Sequence, residues 1–181
     1  AAQQQAAAPL PDAHQQDHAQ LMAALGPVQP APTEPAPAPT AIYFIDRAVA
    51  ESDALARSLP GGADVHYIES GADGVQFIAQ VLQGRSGVQE VHILSHGLAG
   101  ELQLGSAQLT LQSMQGTYRD ALETIGQAMS AEGDILLYGC DFAAGPEGEQ
   151  AVAALAALTG ADVAACTDDT GPGQFGGGWA L

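Results

Sequence analysis

Residues 133–145 read GDILLYGCDFAAG, and this stretch decides the predicted fold. Its apolar run at residues 135–138 has the length of a buried strand, and Cys140 follows that run closely. A second apolar run of the same design lies upstream, where residues 91–94 are followed by SHG at 95–97. The two patterns place a cysteine and a histidine at the carboxyl ends of two strands.

Strands and helices alternate on both sides of these patterns. Alternation of this kind predicts an α/β fold with a doubly wound, mainly parallel sheet between helix layers, a three-layer αβα arrangement. Polar and apolar residues alternate around Gly105, which predicts a small hairpin insertion from 101–104 and 108–111. We predict parallel strands at 42–45, 63–68, 91–94, 135–138 and 161–165.

Four helices are expected between these strands. The first passes through Leu55 and Leu59 and stops before Pro60. The others run from the cap Asp73 to Gly84, along the apolar stripe Tyr118, Leu122, Ile125 and Met129, and from Pro146 to Gly160.

Residues 1–40 differ in composition from the remainder. They are rich in Gln, Pro and Ala, which predicts a disordered tail or linker, and residues 41–181 form the predicted α/β domain. His14 and His18 have a spacing that can bind a metal, but a solvated helix face is the favoured interpretation. The sequence GWAL at 178–181 resembles a strand cut short, so the domain is expected to be truncated at its C-terminal strand.

The charge of the chain excludes several classes of partner. The net charge is −17, with four arginines and no lysine, so no basic surface exists for nucleic acid or for an anionic membrane surface. No apolar run reaches the length of a membrane span, and we expect no membrane insertion. The N-terminus lacks the pattern of a signal peptide.

The predicted sheet gathers reactive residues at one edge. Asp46, His96, Cys140 and Cys166 each follow or end a predicted strand. In doubly wound sheets the binding site lies at the carboxyl ends of the strands. This placement predicts a functional site that contains both a thiol and an imidazole.

A cysteine–histidine pair supports nucleophilic catalysis. A thiol attacks a carbonyl as the thiolate, and a nearby imidazole or helix N-terminus favours that form. His96 would be the general base toward Cys140, and the backbone N–H groups of Gly97 and Cys140 would hold an oxyanion. Two alternatives are a buried inert thiol and a disulfide between Cys140 and Cys166.

Several motifs carry a resemblance to a known family. Residues 42–179 resemble an uncharacterised bacterial domain of the caspase-like cysteine peptidase clan, which is found near the N-terminus of very large secreted adhesin-like and calcium-repeat proteins. The Gln-Ala-Cys-x-Gly signature of caspases themselves is absent. The motifs that match are Ile45-Asp46, HILSHG at 92–97, LLYGC at 136–140, LTGADVAA at 158–165 and GGGW at 176–179.

The resemblance implies a cysteine endopeptidase at the cell surface or outside the cell. Its substrate would be a peptide or protein, with its own chain among the candidates. Clan members that cut after Arg or Lys use acidic pocket residues, so Asp46, Asp141 and Asp168 become candidates for binding a basic P1 side chain. The alternative function is a catalytically inactive module for export or adhesion of a large surface protein.

Some of these residues have competing interpretations. Asp46 is equally well explained as a cap of the following helix. The stretch around Asp168 could bind calcium, but a solvated turn is favoured, so we expect no cofactor. His92 is expected to be a structural histidine or a brace behind His96.

Overall fold

The five predicted parallel strands form one sheet in the computed structural model, which describes residues 41–139 and 141–166. The predicted tail and the predicted terminal strand near residue 179 lie outside the described residues. The strands are β1 (Ala41–Asp46), β2 (Asp64–Ile68), β3 (Val88–Leu94), β4 (His96–Leu98), β5 (Glu101–Leu104), β6 (Ala107–Thr110), β7 (Met129–Tyr138) and β8 (Asp162–Ala165). The helices are α1 (Ser52–Ser58), α2 (Gly74–Leu82), α3 (Leu111–Gln115), α4 (Arg119–Ala128) and α5 (Gly145–Thr159).

The central sheet has the order β2-β1-β3-β7-β8, and every neighbouring pair is parallel. Helices lie on both faces, so the predicted three-layer α/β fold is confirmed. The first face packs against α2, α4 and α5, and its strand residues include Ile42, Phe44, Val91, Ile93, Ile135 and Leu137. These residues share one face because successive strand residues alternate between the two faces. Together with the three helices they form the main core.

The second face is more thinly covered by the described residues. Ile45, Leu94 and Tyr138 are buried there, and α1 packs over them through Leu55 and Leu59. A groove of about 440 Å³ remains between α1 and the sheet. The two layers of helices are therefore unequal in the described part of the chain.

The predicted hairpin is part of a larger structure. β5 and β6 pair antiparallel as expected, but a third strand, β4, pairs with β5 on its other side. The second hairpin strand ends at Thr110 rather than Leu111, because Thr110 and Ser113 form a capping box that begins α3. His96 thus begins a short strand, β4, directly after the end of β3.

Helix ends follow the predicted signals in most places. Asp73 caps α2 by accepting a hydrogen bond from Gln76 N at 3.1 Å, and Gly84 has a φ of +79° just beyond it. Gly160 ends α5 with a φ of +69°. The predicted place of Met129 in the α4 stripe is wrong, because α4 stops at Ala128 and Met129 begins β7 in extended conformation.

Candidate active site

The strand connections reverse direction between β1 and β3. β2 lies on one side of β1, whereas β7 and β8 follow on the far side of β3. Ligands of doubly wound sheets bind at such a switch point, in the crevice outside the carboxyl ends of the strands. Asp46 ends β1 and His96 lies just beyond β3, so both residues flank this crevice.

His96 is exposed, and one of its ring nitrogens has a fixed partner. Nε2 lies 3.1 Å from the carbonyl oxygen of Ala48, in the segment that follows β1. Because a carbonyl oxygen only accepts hydrogen bonds, Nε2 carries the proton of the neutral ring and Nδ1 carries the lone pair. The described residues offer no hydrogen bond to Nδ1. The geometry therefore presents Nδ1 as a base.

Glycines bring the histidine segment against the end of β7. A Cβ on Gly139 would lie 2.5 Å from Leu102 Cδ1 and 3.5 Å from the nitrogen of Gly97. A side chain at this position would displace the Leu102 methyl group, whereas its distance to Gly97 is an ordinary van der Waals contact. Cys140, the predicted nucleophile, lies outside the described residues. The structure thus joins the two predicted motifs through Gly97 and Gly139, the residues next to His96 and Cys140 in sequence.

Backbone hydrogen bonds fasten the same two segments on both sides of position 140. Ser95 N donates to the carbonyl oxygen of Tyr138 at 3.2 Å, and Gly100 N donates to that of Phe142 at 3.0 Å. Ser95 is 5% exposed, and its hydroxyl forms no hydrogen bond within the described residues. The segment 95–100 is therefore held against 138–142 by main-chain contacts rather than by side chains alone.

The chain turns sharply after position 140. Asp141 has a φ of +57°, in the left-handed region that few residues other than glycine adopt. Gly148, in the first turn of α5, lies so close to the Ala143 backbone that no Cβ would fit. The N-terminus of α5 consequently lies against the segment that follows Asp141, although no side chain caps it.

Asp46 is 1% exposed, and backbone groups cover its carboxylate. Oδ1 accepts a hydrogen bond from Ala48 N at 2.8 Å, and Oδ2 accepts one from Gly105 N at 2.6 Å. The helix-cap interpretation is wrong, because α1 begins at Ser52 with Glu51 as its N-cap. A cationic substrate side chain would reach this carboxylate only if the residues that bury it moved.

Comparison with protein-family models identifies the family of this chain. A model described as a domain of unknown function, DUF4347, matches residues 42–181. The chain belongs to this family. No curated protein matches the chain.

A second histidine of the DUF4347 domain is engaged on both sides. His92 Nδ1 lies 3.0 Å from the hydroxyl of Tyr138, and Nε2 lies 3.1 Å from Glu90 Oε2. Its ring stacks on Tyr43 with a centroid distance of 4.3 Å. Burial, followed by the nearby Tyr43, Cys166 and Glu90, raises the pKa of Tyr138 to about 12. His92 braces Tyr138 in β7 rather than His96.

Other predicted residues of the DUF4347 domain are placed only in part. Cys166 follows β8 and packs beside Ile45, Leu94 and Tyr138, and its carbonyl oxygen accepts a hydrogen bond from Ala143 N at 3.2 Å. The disulfide with Cys140 cannot be placed because Cys140 is outside the described residues, and Asp168 is outside them as well. Within residues 41–139 and 141–166, no three potential metal ligands cluster, and no helix has the length and apolar character for crossing a membrane.

Sequence patterns missed two contributors to this site. The Ala48 carbonyl orients His96, yet a backbone oxygen leaves no residue-type signal. β4 was also missed, because its three residues become a strand only by pairing with β5.

Proposed function

We propose that this domain is a caspase-like cysteine endopeptidase, with Cys140 as nucleophile and His96 as general base. The hydrogen bond from His96 Nε2 to the Ala48 carbonyl is the observation that supports this function most directly. It leaves Nδ1 as the basic nitrogen of a ring that sits at the switch point of the sheet. The contact between Gly97 and Gly139 supports the pairing of the two motifs.

The proposed reaction has two halves. The Cys140 thiol gives its proton to His96 Nδ1, and the thiolate attacks the scissile carbonyl carbon while the carbonyl electrons move to oxygen. The N–H groups of Gly97 and Cys140 stabilise that oxyanion. When the intermediate collapses, the C–N bond breaks, the leaving amine takes the proton from Nδ1, and an acyl-enzyme thioester remains.

Water completes the reaction in the second half. His96 Nδ1 takes a proton from water, and the resulting hydroxide attacks the thioester carbonyl. Collapse of this second intermediate breaks the C–S bond, releases the carboxylic acid and returns the proton to the sulfur. The same nitrogen therefore serves as base and acid in alternation.

The proposed substrate is a peptide segment with a basic P1 residue, in its own chain or in a neighbouring surface protein. A net charge of −17 attracts cationic segments. Asp141 is partly exposed and follows Cys140 directly, so its carboxylate is a candidate partner for that side chain, together with Asp168. Processing at the cell surface rests on the resemblance to domains of large secreted proteins.

Covalent labelling tests the nucleophile. We expect a thiol-reactive peptidyl electrophile with arginine at P1 to modify the full chain once, at Cys140, at neutral pH under reducing conditions. Labelling is lost in Cys140→Ala, falls strongly in His96→Ala, and persists in Cys166→Ala, which is the matched control because it removes the other cysteine. Mass mapping identifies the labelled residue. A wild-type chain that stays unlabelled would favour the non-catalytic export or adhesion module.

A peptide panel tests specificity separately. Matched fluorogenic peptides with arginine, lysine, alanine or aspartate at P1 are compared by kcat/KM. The proposal expects the two basic peptides to be cleaved at least about tenfold faster, a difference of about 1.4 kcal/mol in transition-state binding. Cleavage that prefers alanine or aspartate would overturn the basic preference and leave the nucleophile assignment standing.

A further inference from the structure

Asp46 is a buried carboxylate that the proposed reaction does not use. Burial of a carboxylate is costly unless hydrogen bonds compensate for lost water. At 1% exposure, each Asp46 oxygen accepts a backbone N–H, from Ala48 at 2.8 Å and from Gly105 at 2.6 Å. Both carboxylate oxygens of Asp46 therefore have hydrogen-bond partners within the protein.

The hydrogen bond from Ala48 N holds the residue whose carbonyl oxygen contacts His96. Ala48 donates its N–H to Asp46 Oδ1, and its carbonyl oxygen accepts the hydrogen bond from His96 Nε2 at 3.1 Å. The backbone of Asp46 also closes this turn, because its carbonyl oxygen accepts a hydrogen bond from Val49 N at 3.1 Å. Asp46 thus fixes the conformation that directs the Ala48 carbonyl at the imidazole.

The second bond acts on the strand that carries His96. Gly105 lies in the turn between β5 and β6, and β5 pairs with β4 so that Gln103 is opposite His96. Gly105 has a φ of +61° and packs tightly against the Ala72 backbone, so its N–H is held in place. The Asp46 carboxylate therefore connects the end of β1 to two features. One is Ala48, whose carbonyl oxygen accepts from His96, and the other is the small sheet that contains His96.

We propose that Asp46 is a positioning residue that acts through Ala48 and Gly105 to hold His96 with Nε2 protonated and Nδ1 free to act as the base. Its catalytic meaning rests on the peptidase function proposed above. This role differs from the predicted contact with a basic P1 side chain, which would require the covered carboxylate to face the substrate. The two roles predict different effects of substituting Asp46. A positioning role changes the tautomer of His96 and kcat, whereas a pocket role changes KM for a basic substrate.

The test is Asp46→Asn, with Asp53→Asn as the matched control. Asparagine keeps one acceptor oxygen but turns an NH₂ group toward one of the two backbone donors, so one hydrogen bond is lost. Asp53 loses the same charge on exposed α1, where it pairs with Arg47, whereas the N–H groups of Ala48 and Gly105 bond to Asp46. Circular dichroism and thermal unfolding establish that each variant is folded.

The first readout is the tautomer of His96, measured by ¹⁵N NMR of histidine-labelled full chain and assigned with His96→Gln. We expect the Nε2–H tautomer in the wild type and in Asp53→Asn, and a mixture of tautomers in Asp46→Asn. A wild-type ring protonated at Nδ1, or an unchanged tautomer in folded Asp46→Asn, overturns the proposal. The wild-type measurement decides the matter if Asp46→Asn fails to fold.

The second readout is the kinetics of peptides with arginine or alanine at P1. A positioning role predicts that Asp46→Asn lowers kcat by about tenfold or more for both peptides, with KM unchanged. A rise in KM confined to the arginine peptide, with the tautomer intact, would assign Asp46 to the substrate pocket instead. If the wild type shows no peptidase activity while the tautomer responds as expected, the peptidase function fails and the positioning of His96 stands.

Discussion

His92 and His96 lie four residues apart in sequence, yet the fold gives them opposite circumstances. His92 is 9% exposed, with Tyr138 and Glu90 on its two nitrogens and Tyr43 stacked on its ring. His96 is exposed, and its one hydrogen bond from the described residues goes to the Ala48 carbonyl. A histidine with both nitrogens occupied stabilises structure, whereas one with a single fixed nitrogen retains the other for proton transfer.

The largest expected difference between the two histidines is in catalysis. Removal of a general base lowers rates by about 10²–10⁴-fold, so His96→Ala should lower kcat/KM for a peptide substrate by that range. Its free energy of unfolding should change by less than about 0.5 kcal/mol, because the side chain is exposed. Urea unfolding and peptide cleavage on the same preparation measure both. A large loss of stability would show that His96 also supports the fold.

The reverse pattern is expected for His92→Ala. This change removes one hydrogen bond to the Tyr138 hydroxyl and opens space beside Tyr43, so the free energy of unfolding should fall by about 1–3 kcal/mol. Cleavage per folded molecule should stay within a few-fold of the wild type. His92→Phe, which keeps a ring against Tyr43, separates the loss of packing from the loss of hydrogen bonds. Inactivity of folded His92→Ala would show that His92 belongs to the reaction.

Gly139→Ala tests the contact that joins the two motifs beside His96. The new methyl group would lie 2.5 Å from Leu102 Cδ1, and overpacking of this kind costs about 1–3 kcal/mol in unfolding free energy. Because Leu102 pairs with Gly97 across β4 and β5, displacement of its side chain should disturb the segment beside His96 and slow labelling at Cys140. Gly71→Ala is the control, since nothing lies within 4 Å of its added Cβ. Equal stability and labelling in both variants would contradict the described contact.

The pH dependence of stability tests the tyrosine that contacts His92. Burial raises the Tyr138 pKa from 10.0 to about 12, so between those pH values the folded chain keeps a proton that the unfolded chain loses. Stability should therefore be fully present below pH 10 and fall as pH rises toward 12. Urea unfolding across this pH window should show a shallower fall in Tyr138→Phe than in the wild type. Identical pH profiles would show that Tyr138 does not titrate as described.

The sequence was most informative where local signals agreed with the packing. All five parallel strands were predicted, the central ones from apolar runs of strand length, and Asp73 and Gly160 marked helix ends as expected. The stripe was extended too far because Met129 is apolar at a helical spacing, although it is buried as the first residue of β7. The spacing of apolar residues alone does not show where a helix ends and a buried strand begins.

The sequence predicted where the candidate site lies but not which hydrogen bonds hold it together. Strand ends in a parallel sheet meet at one edge, so His96 and the end of β7 were expected to be neighbours. Asp46 was correctly placed at that edge, but its bonds to Ala48 and Gly105 depend on how a distant turn packs. Backbone donors and acceptors are present at almost every residue, and composition therefore carries no information about which of them meet.

Helix α1, which follows the Ala48 segment of the site, is weakly stabilised by its own sequence. It has seven residues, starts after Glu51 at a φ of +57° without a side-chain cap, and is too short to persist by itself. The segment that leads into it contains Ala48, and nearby Arg47 pairs with Asp53 at 2.6 Å and stacks over Tyr67 at 3.6 Å.

Local unfolding of α1 would need less free energy than opening the sheet, and it would loosen the carbonyl that orients His96. Under the proposed peptidase function, a local folding equilibrium would then set the fraction of molecules in which His96 is oriented for catalysis. Hydrogen exchange at the Ala54 and Leu55 amides, which bond to Glu51 O at 2.8 and 3.0 Å, would report that fraction directly.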